Sequence, residues 1–479
     1  MKNQFKILSL FLCFYFFLFY LNCSPAKLNG TCDPKSESFL ISALLEFGSD
    51  DGKYLCASFA GLNPFRFRYE SDYFVIRQNE TIVPMVPFAS EPIEFCKISP
   101  SLPTGLVFNP TTCVISGTPL VGVNATKYFI TAGNQNKQIT IPLIIKSLFT
   151  PKFAYLLNTT SSLVNLFFIN ANNGVLTGNG TIAVGGGPES LGISPSQKYL
   201  TVANRSSNDL SQFSINQTNG NLSVVGTVPS GGVSPLAMTY HPYKDIVYIR
   251  NNLNIATFLV NQATGNLTLI STIPASTGAS SIAVDPFGNY LYVPNYNSKL
   301  MDSYWIDPAT GIPSPNVIQT IGTGAFPRNL EILSNGKNLY IVNDSDNNIS
   351  TYQIDSNSGF LSSFFPATVP MGLNSRSVVA DPSGKFLYMT NQGSDFVSIY
   401  GIDPSTGSLF PAAMSQMTTG DGPTGINIDS SGKFLYVTNF NANTVDIFQI
   451  NQSNGSLTKI VDVATNILPI AIVTSGTNP

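Results

Sequence analysis

From about residue 150 onward, short apolar runs alternate with polar turns at a nearly constant period. Seven of the runs end in Asn: Asn158 (YLLN), Asn204 (TVAN), Asn251 (YIRN), Asn295 (YVPN), Asn343 (YIVN), Asn391 (YMTN) and Asn439 (YVTN), spaced 46, 47, 44, 48, 48 and 48 residues apart. Each period parses into four strands. In the sixth, Arg376–Ala380 is strand a, Phe386–Thr390 strand b and Val397–Ile402 strand c; strand d follows the turn glycine Gly407. Strands of this length with alternating apolar positions suit stacked sheets buried on both faces. Glycine recurs at the same turn in every period (Gly174, Gly220, Gly265, Gly311, Gly359, Gly407, Gly455), as a tight turn with positive φ requires. A strand-rich period in the forties predicts β-propeller blades.

The two ends of the array predict a closed ring. The first copy opens at Phe153 with strand b and lacks a strand a. The last copy ends with an extra strand, Pro469–Val473, patterned like the strand a copies Ser281–Asp285 and Pro423–Ile428. The C-terminal strand then supplies the innermost strand of the first blade and removes an open edge. The expected fold is all-β: a closed seven-bladed propeller over 149–479, preceded by a smaller β-sandwich over 72–148.

Residues 1–22 read as a signal peptide. Lys2 and Lys6 precede an apolar run from Ile7 to Leu21, too short for a comfortable membrane span. Cys23 sits where a lipoprotein signal places its lipidated residue, and the segment resembles spirochaete lipoprotein signals, although Asn22 stands where a small residue is usual. These features imply an exported protein held to the outer membrane or cell surface by a lipid anchor, with a periplasmic orientation also open. Residues 23–71 would form the N-terminal linker region, in which 38–48 has helical periodicity. Cys32, Cys56, Cys96 and Cys113 remain, an even number that admits two disulfides in any of three pairings.

Only 11% of the 479 residues are charged and the net charge is −3, which offers nucleic acid no basic footprint. The single histidine, His241, excludes a multi-His metal centre; it precedes Pro242 where other copies carry Asp-Pro, and reads as a turn residue. No cofactor and no metal are expected.

Two resemblances add to this reading. Residues 98–119, ISPSLPTGLVFNPTTCVISGTP, resemble the signature of immunoglobulin-like domains of bacterial surface proteins. Strands are expected at Leu106–Phe108, Val114–Ser116, Lys127–Ala132 and Gln138–Ile145. Cys113 replaces the signature's turn glycine, and Cys96 begins the preceding strand. A bridge between Cys96 and Cys113 accounts for both departures and leaves Cys32 with Cys56. The repeat DPSGKFLYMTN391 resembles the YVTN-repeat propellers of surface proteins and the seven-bladed lactonase family that includes 6-phosphogluconolactonase. The enzyme group implies the polar signatures GPRH, Asn-Glu and SNRG. Here they read Phe326-Pro-Arg328-Asn329, Asn343-Asp344 and Thr390-Asn391-Gln392-Gly393, so Arg328 is kept while His, Glu and Arg become Asn329, Asp344 and Gln392. The imidazole and a carboxylate-binding fork are lost.

Aligning the strand a copies places Glu189, Leu236, Ser280, Arg328, Arg376, Thr424 and Ile470 in one layer of the channel. Arg328 and Arg376, on neighbouring blades with Glu189 across from them, form a candidate site for an anionic small molecule; pairing with Glu331 or Asp344 is the structural alternative. Arg328, Asp344 and Arg376 are the candidate catalytic residues if the chain is an enzyme. The leading expectation is a lipid-anchored envelope recognition protein, non-catalytic, with a protein or anionic small-molecule partner. The alternative is an exported lactonase with a modified site.

Overall fold

The computed structural model describes residues 65–476, except 123–124, 149, 279 and 411–413. The expected signal, Cys23, the helix expected at 38–48 and the expected Cys32–Cys56 pairing lie outside the described residues. Within them, regular secondary structure is entirely β.

Seven four-stranded sheets follow one another in the order in which the repeats occur. Blade 5, for example, runs from Pro327–Ile332 through Asn338–Asn343 and Asn348–Ile354 to Leu361–Pro370. In blades 4 to 7, strand b is buried at every position (Tyr290–Asn295, Asn338–Asn343, Phe386–Asn391, Phe434–Asn439), because neighbouring blades cover both of its faces. This is why these strands read as continuous apolar runs. Repeat six differs from its expected bounds by one residue, with strands at Ser375–Ala380, Phe386–Asn391 and Phe396–Gly401. In blade 4 the innermost strand shrinks to Ala283–Val284.

The ring closes as its ends predict. Pro469–Gly476, three residues longer than expected, pairs antiparallel with Pro151–Asn158 and completes blade 1. Blades are also joined by a repeated hydrogen bond. The tyrosine three residues before the motif Asn donates its hydroxyl to the carbonyl of the turn glycine in the next blade. The pairs are Tyr155 to Gly220 (2.9 Å), Tyr248 to Gly311 (2.6 Å), Tyr292 to Gly359 (3.0 Å), Tyr340 to Gly407 (2.6 Å), Tyr388 to Gly455 (2.9 Å) and, across the seam, Tyr436 to Gly174 (2.9 Å). Blade 2 has Thr201 there, whose hydroxyl bonds Gln212 within its own blade and meets the Tyr240 hydroxyl of blade 3 at 2.6 Å. The turn glycine is constrained twice: Gly174 has φ +72°, and a Cβ on it would lie 2.5 Å from the Phe434 ring.

The other motif residues are structural too. Asn343 is fully buried, and its Nδ2 donates to Asn348 Oδ1 and Ser350 Oγ, each at 2.8 Å, tying strand b to strand c. Asp381 accepts the Lys385 and Phe386 amides at 2.8 and 2.6 Å, which fixes the a–b turn. His241 does the same in blade 3: its Nδ1 accepts from the amides of Tyr243 (3.3 Å) and Lys244 (3.1 Å). The turn therefore uses neutral imidazole. Burial, chiefly, pushes His241 down to about 4.

Ahead of the propeller, a four-stranded sheet runs in the order Tyr73–Arg77, Gln138–Leu148, Thr126–Gly133, Phe95–Ser99; the first pair is parallel and the others antiparallel. A hairpin of Leu106–Phe108 with Ile115–Gly117 packs beside it. The strand expected at Val114–Ser116 starts one residue later because the Val114 carbonyl closes the turn by accepting from the Asn109 amide (2.9 Å). Ile76, Ile115, Tyr128, Ile130, Leu143 and Ile145 build the core of this unit. Cys96 and Cys113 are disulfide-bonded with Cα atoms 5.4 Å apart, and Cys113 keeps the glycine-like φ of +57°.

Two outcomes test this scaffold. Tyr436→Phe removes the seam hydrogen bond and is expected to cost about 1 kcal/mol, while Gly174→Ala, strained in φ and in space, costs about 1–3 kcal/mol; urea unfolding of both checks this. For His241, the folded value is depressed, so its contribution to stability is complete above the unfolded value near 6.5 and is lost as pH falls toward 4. His241→Asn should flatten the pH dependence of melting across that window.

Candidate anion site at the channel mouth

The innermost strands begin at one end of the channel, next to the residues that follow each motif Asn. The Asp344 amide donates to the Phe326 carbonyl (3.1 Å), and the Gln392 amide to the Asn374 carbonyl (3.1 Å). Two equivalent pairs result on adjacent blades. Arg328 Nε donates to Asp344 Oδ2 at 2.6 Å, and Arg376 Nε donates to Gln392 Oε1. Arg328 Nη2 also reaches the Tyr296 hydroxyl at 3.3 Å, with its guanidinium carbon 5.0 Å from the Tyr296 ring centre. Tyr296 in turn stacks on Phe326, with centroids 4.6 Å apart and planes at 24°. Arg328 is thus held between Asp344 and Tyr296. Nη1 and Nη2 of Arg376 make no hydrogen bond among the described residues.

Glu189 completes the cluster from blade 2. Its carboxyl meets water in the channel but is walled by protein, which pushes its pKa up; Arg205, Arg328 and Arg376 pull it back down, in that order. Arg376 is pushed down first by burial and then by Arg328, and is raised again by Asp344, Tyr296 and Glu189. These groups share one electrostatic field: three guanidiniums against two carboxylates. Asp344 is only 8% exposed, and its Oδ1 has no hydrogen-bond partner, so one acceptor remains open beside Arg328.

The structure thus brings Glu189, Arg328, Asp344 and Arg376 together, and it selects Asp344 over Glu331 as the partner of Arg328. Glu331 lies further along the same strand, accepts the Ala380 amide (3.3 Å) and faces Lys146; burial pushes it up to about 7. Three more residues of the expected layer are taken up by the scaffold. Ser280 Oγ bonds the Pro327 carbonyl, Thr424 Oγ1 lies 3.0 Å from Thr438 Oγ1, and Ile470 packs into the core between blades 1 and 2. Asn329, in place of the family His, accepts the Val378 amide of the next blade (3.3 Å). Arg205 and Tyr296 were not expected in the site. Each directly follows a motif Asn, the position that also supplies Asp344 and Gln392, so the repeat held the signal that finds them. Among the described residues, no group of three His, Cys, Asp or Glu could hold a metal ion.

The fold and this mouth define a seven-bladed propeller with an arginine-bearing site at one end of its channel. The family model "Lactonase, 7-bladed beta-propeller" matches residues 146–277, 268–373 and 368–469, and the chain belongs to that family. Residues 74–147 match the model "Putative Ig domain". Among solved structures, a putative 6-phosphogluconolactonase from Bacteroides fragilis is similar at 21% identity and a TM-score of 0.61, over 68% of this chain and 98% of that one. The periplasmic gluconolactonase PpgL of Pseudomonas aeruginosa is similar at 17% identity and 0.60, over 68% and 99%. At these identities the likeness is one of fold. No match was found among curated proteins.

If these groups share one field, removing either arginine's charge raises the pKa of Glu189 further. Arg328→Met and Arg376→Met should each shift the carboxyl carbon titration of Glu189 upward in an NMR experiment; an unmoved titration would mean that they do not face one another.

Proposed function

We propose that the chain is a lactone hydrolase acting at the Arg328/Arg376 mouth, the reading kept above as the alternative. The observation that carries it is the open Nη edge of Arg376 beside an Arg328 that Asp344 and Tyr296 hold in place, in a member of a lactonase family. Two adjacent guanidiniums offer paired donors to a carbonyl oxygen as it becomes an oxyanion. In this reading Glu189, its pKa raised by burial, serves as the base that takes a proton from the attacking water. The ring carbon–oxygen bond then breaks, and the ring oxygen takes the proton back as a hydroxyl, leaving a hydroxy acid. Asp344 acts as a positioning residue through Arg328. This chemistry needs neither the missing imidazole nor a metal.

Purified protein is expected to open sugar-acid lactones in a pH-stat assay. Arg376→Ala should lower kcat by about a hundredfold or more, and Glu189→Gln should remove the acid-limb fall in activity, where protonation of the carboxylate silences the base. The second reading, recognition without turnover, is favoured by the loss of His and Arg from the family signature. It predicts no hydrolysis across the panel, with hydroxy-acid binding still abolished by Arg376→Ala. In either case we place the protein on the cell envelope, anchored through Cys23; Cys23→Ala should release it from the membrane fraction.

A further inference from the structure

The sandwich presents one face of its sheet to the propeller. In the strand Gln138–Leu148, Ile139, Ile141, Leu143 and Ile145 point into the sandwich core, whereas Ile144 and Leu148 belong to no part of that core and are still only 1% and 4% exposed. Strand alternation puts Lys146 on the same outer face. Its parallel neighbour is in register, Tyr73 with Ile144, Val75 with Lys146 and Arg77 with Leu148, so these residues share that face while Ile76 enters the core.

The outer face meets the a–b turns of several blades. Tyr73 packs edge-on against Phe287 of blade 4 (6.2 Å). The Lys127 ammonium sits 5.8 Å from the Tyr243 ring of blade 3. At the other end of the strand, Arg77 donates to the Ser431 carbonyl and, at 2.7 Å, to Gln452 Oε1, both in blade 7. Blades 3 and 4 lie opposite blade 7 in a ring of seven, so a strand reaching from one side to the other crosses the axis. Tyr73 to Arg77 spans about 13 Å of extended chain, and Lys146 lies in the row beside it. Lys146 keeps contact with water, yet the surrounding protein pushes its ammonium pKa down, and the charge of Glu331, on the innermost strand of blade 5, raises it again.

We infer that the immunoglobulin-like unit is a fixed floor of the propeller: its Tyr73/Arg77/Ile144/Lys146 face closes the channel end opposite Arg328 and Arg376, leaving a blind pocket with one mouth. Lys146 stands in the channel floor facing Glu331, and Tyr73 and Arg77 bolt the sheet at opposite rims. Ligand then enters and leaves only past the arginines. Two units of one chain joined by a short connection move freely unless their interface is extensive; this face supplies aromatic, cation–π and hydrogen-bonded contacts to blades 3, 4 and 7. The inference does not depend on whether the mouth hydrolyses anything.

Hydrogen exchange by mass spectrometry on the full chain tests it, with the Asn391–Asp395 hairpin of the opposite propeller face as internal reference. The turns at His241–Ile246, Asp285–Tyr290 and Asp429–Phe434 should be protected in the native protein. They should lose that protection together in Arg77→Ala/Lys146→Ala, while the reference hairpin and the melting of the propeller stay unchanged. Tyr73→Ala, which leaves both charges in place, should give the same pattern. The inference is overturned if the three turns exchange as fast in the native chain as in the variants, or if only the turn nearest the substituted residue responds.

Discussion

The structure depends on a hydrogen bond that six of the seven blades make with the next. A tyrosine hydroxyl buried between sheets must find an acceptor, and a turn glycine must have a carbonyl free to receive it. In six of seven blades these demands meet across the blade interface, and the bond from Tyr436 to Gly174 joins positions 262 residues apart. The same glycine needs positive φ and lies over an aromatic ring that excludes any Cβ, as Gly220 does over Phe153 and Gly455 over Phe386. One turn thus sets register, spacing and order. The period of the sequence is the imprint of that contact.

Once the ring is fixed, the channel mouth offers two positions per blade: the start of the innermost strand and the residue after the motif Asn. The scaffold pins the side chains between them, so the mouth can change residue types without changing geometry. Arg328 with Asp344 and Arg376 with Gln392 are the same pair of positions on adjacent blades. One is filled by an ion pair, the other by a neutral contact that leaves a guanidinium edge open. A carboxylate in place of Gln392 would neutralise the pair; the amide keeps the mouth net positive, suited to an anionic or oxyanionic ligand.

The propeller, its closing strand and the Cys96–Cys113 bridge were legible in the sequence because each leaves a repeated or paired residue. Asn343 and Gly407 recur in register, and Pro469–Ile472 repeats an inner-strand pattern out of place. The Arg328/Arg376 layer was legible for the same reason. Arg205 and Tyr296 were legible only as a repeat position: it carries Thr159, Arg205, Asn252, Tyr296, Asp344, Gln392 and Phe440 around the ring, so the register locates them but no common chemistry singles them out. Glu331 read as a partner of Arg328 because it lies near in sequence. Alternation along the strand separates them, and only the three-dimensional arrangement sets Glu331 toward Lys146. The docking of the sandwich was equally hidden. Tyr73 and Arg77 look like surface residues until their strand is paired with Ile144–Leu148.

The central claim is that Arg328 and Arg376 jointly hold an oxygen anion at the single open mouth. A crystal structure of the full chain soaked with a sugar-derived hydroxy acid tests it most directly. The account predicts a carboxylate oxygen within about 3 Å of Nη atoms of both arginines, with Asp344 still on Arg328 Nε. Ligand bound only at the opposite end of the channel, or an occupied mouth with Arg376 turned away from the ligand, would contradict it.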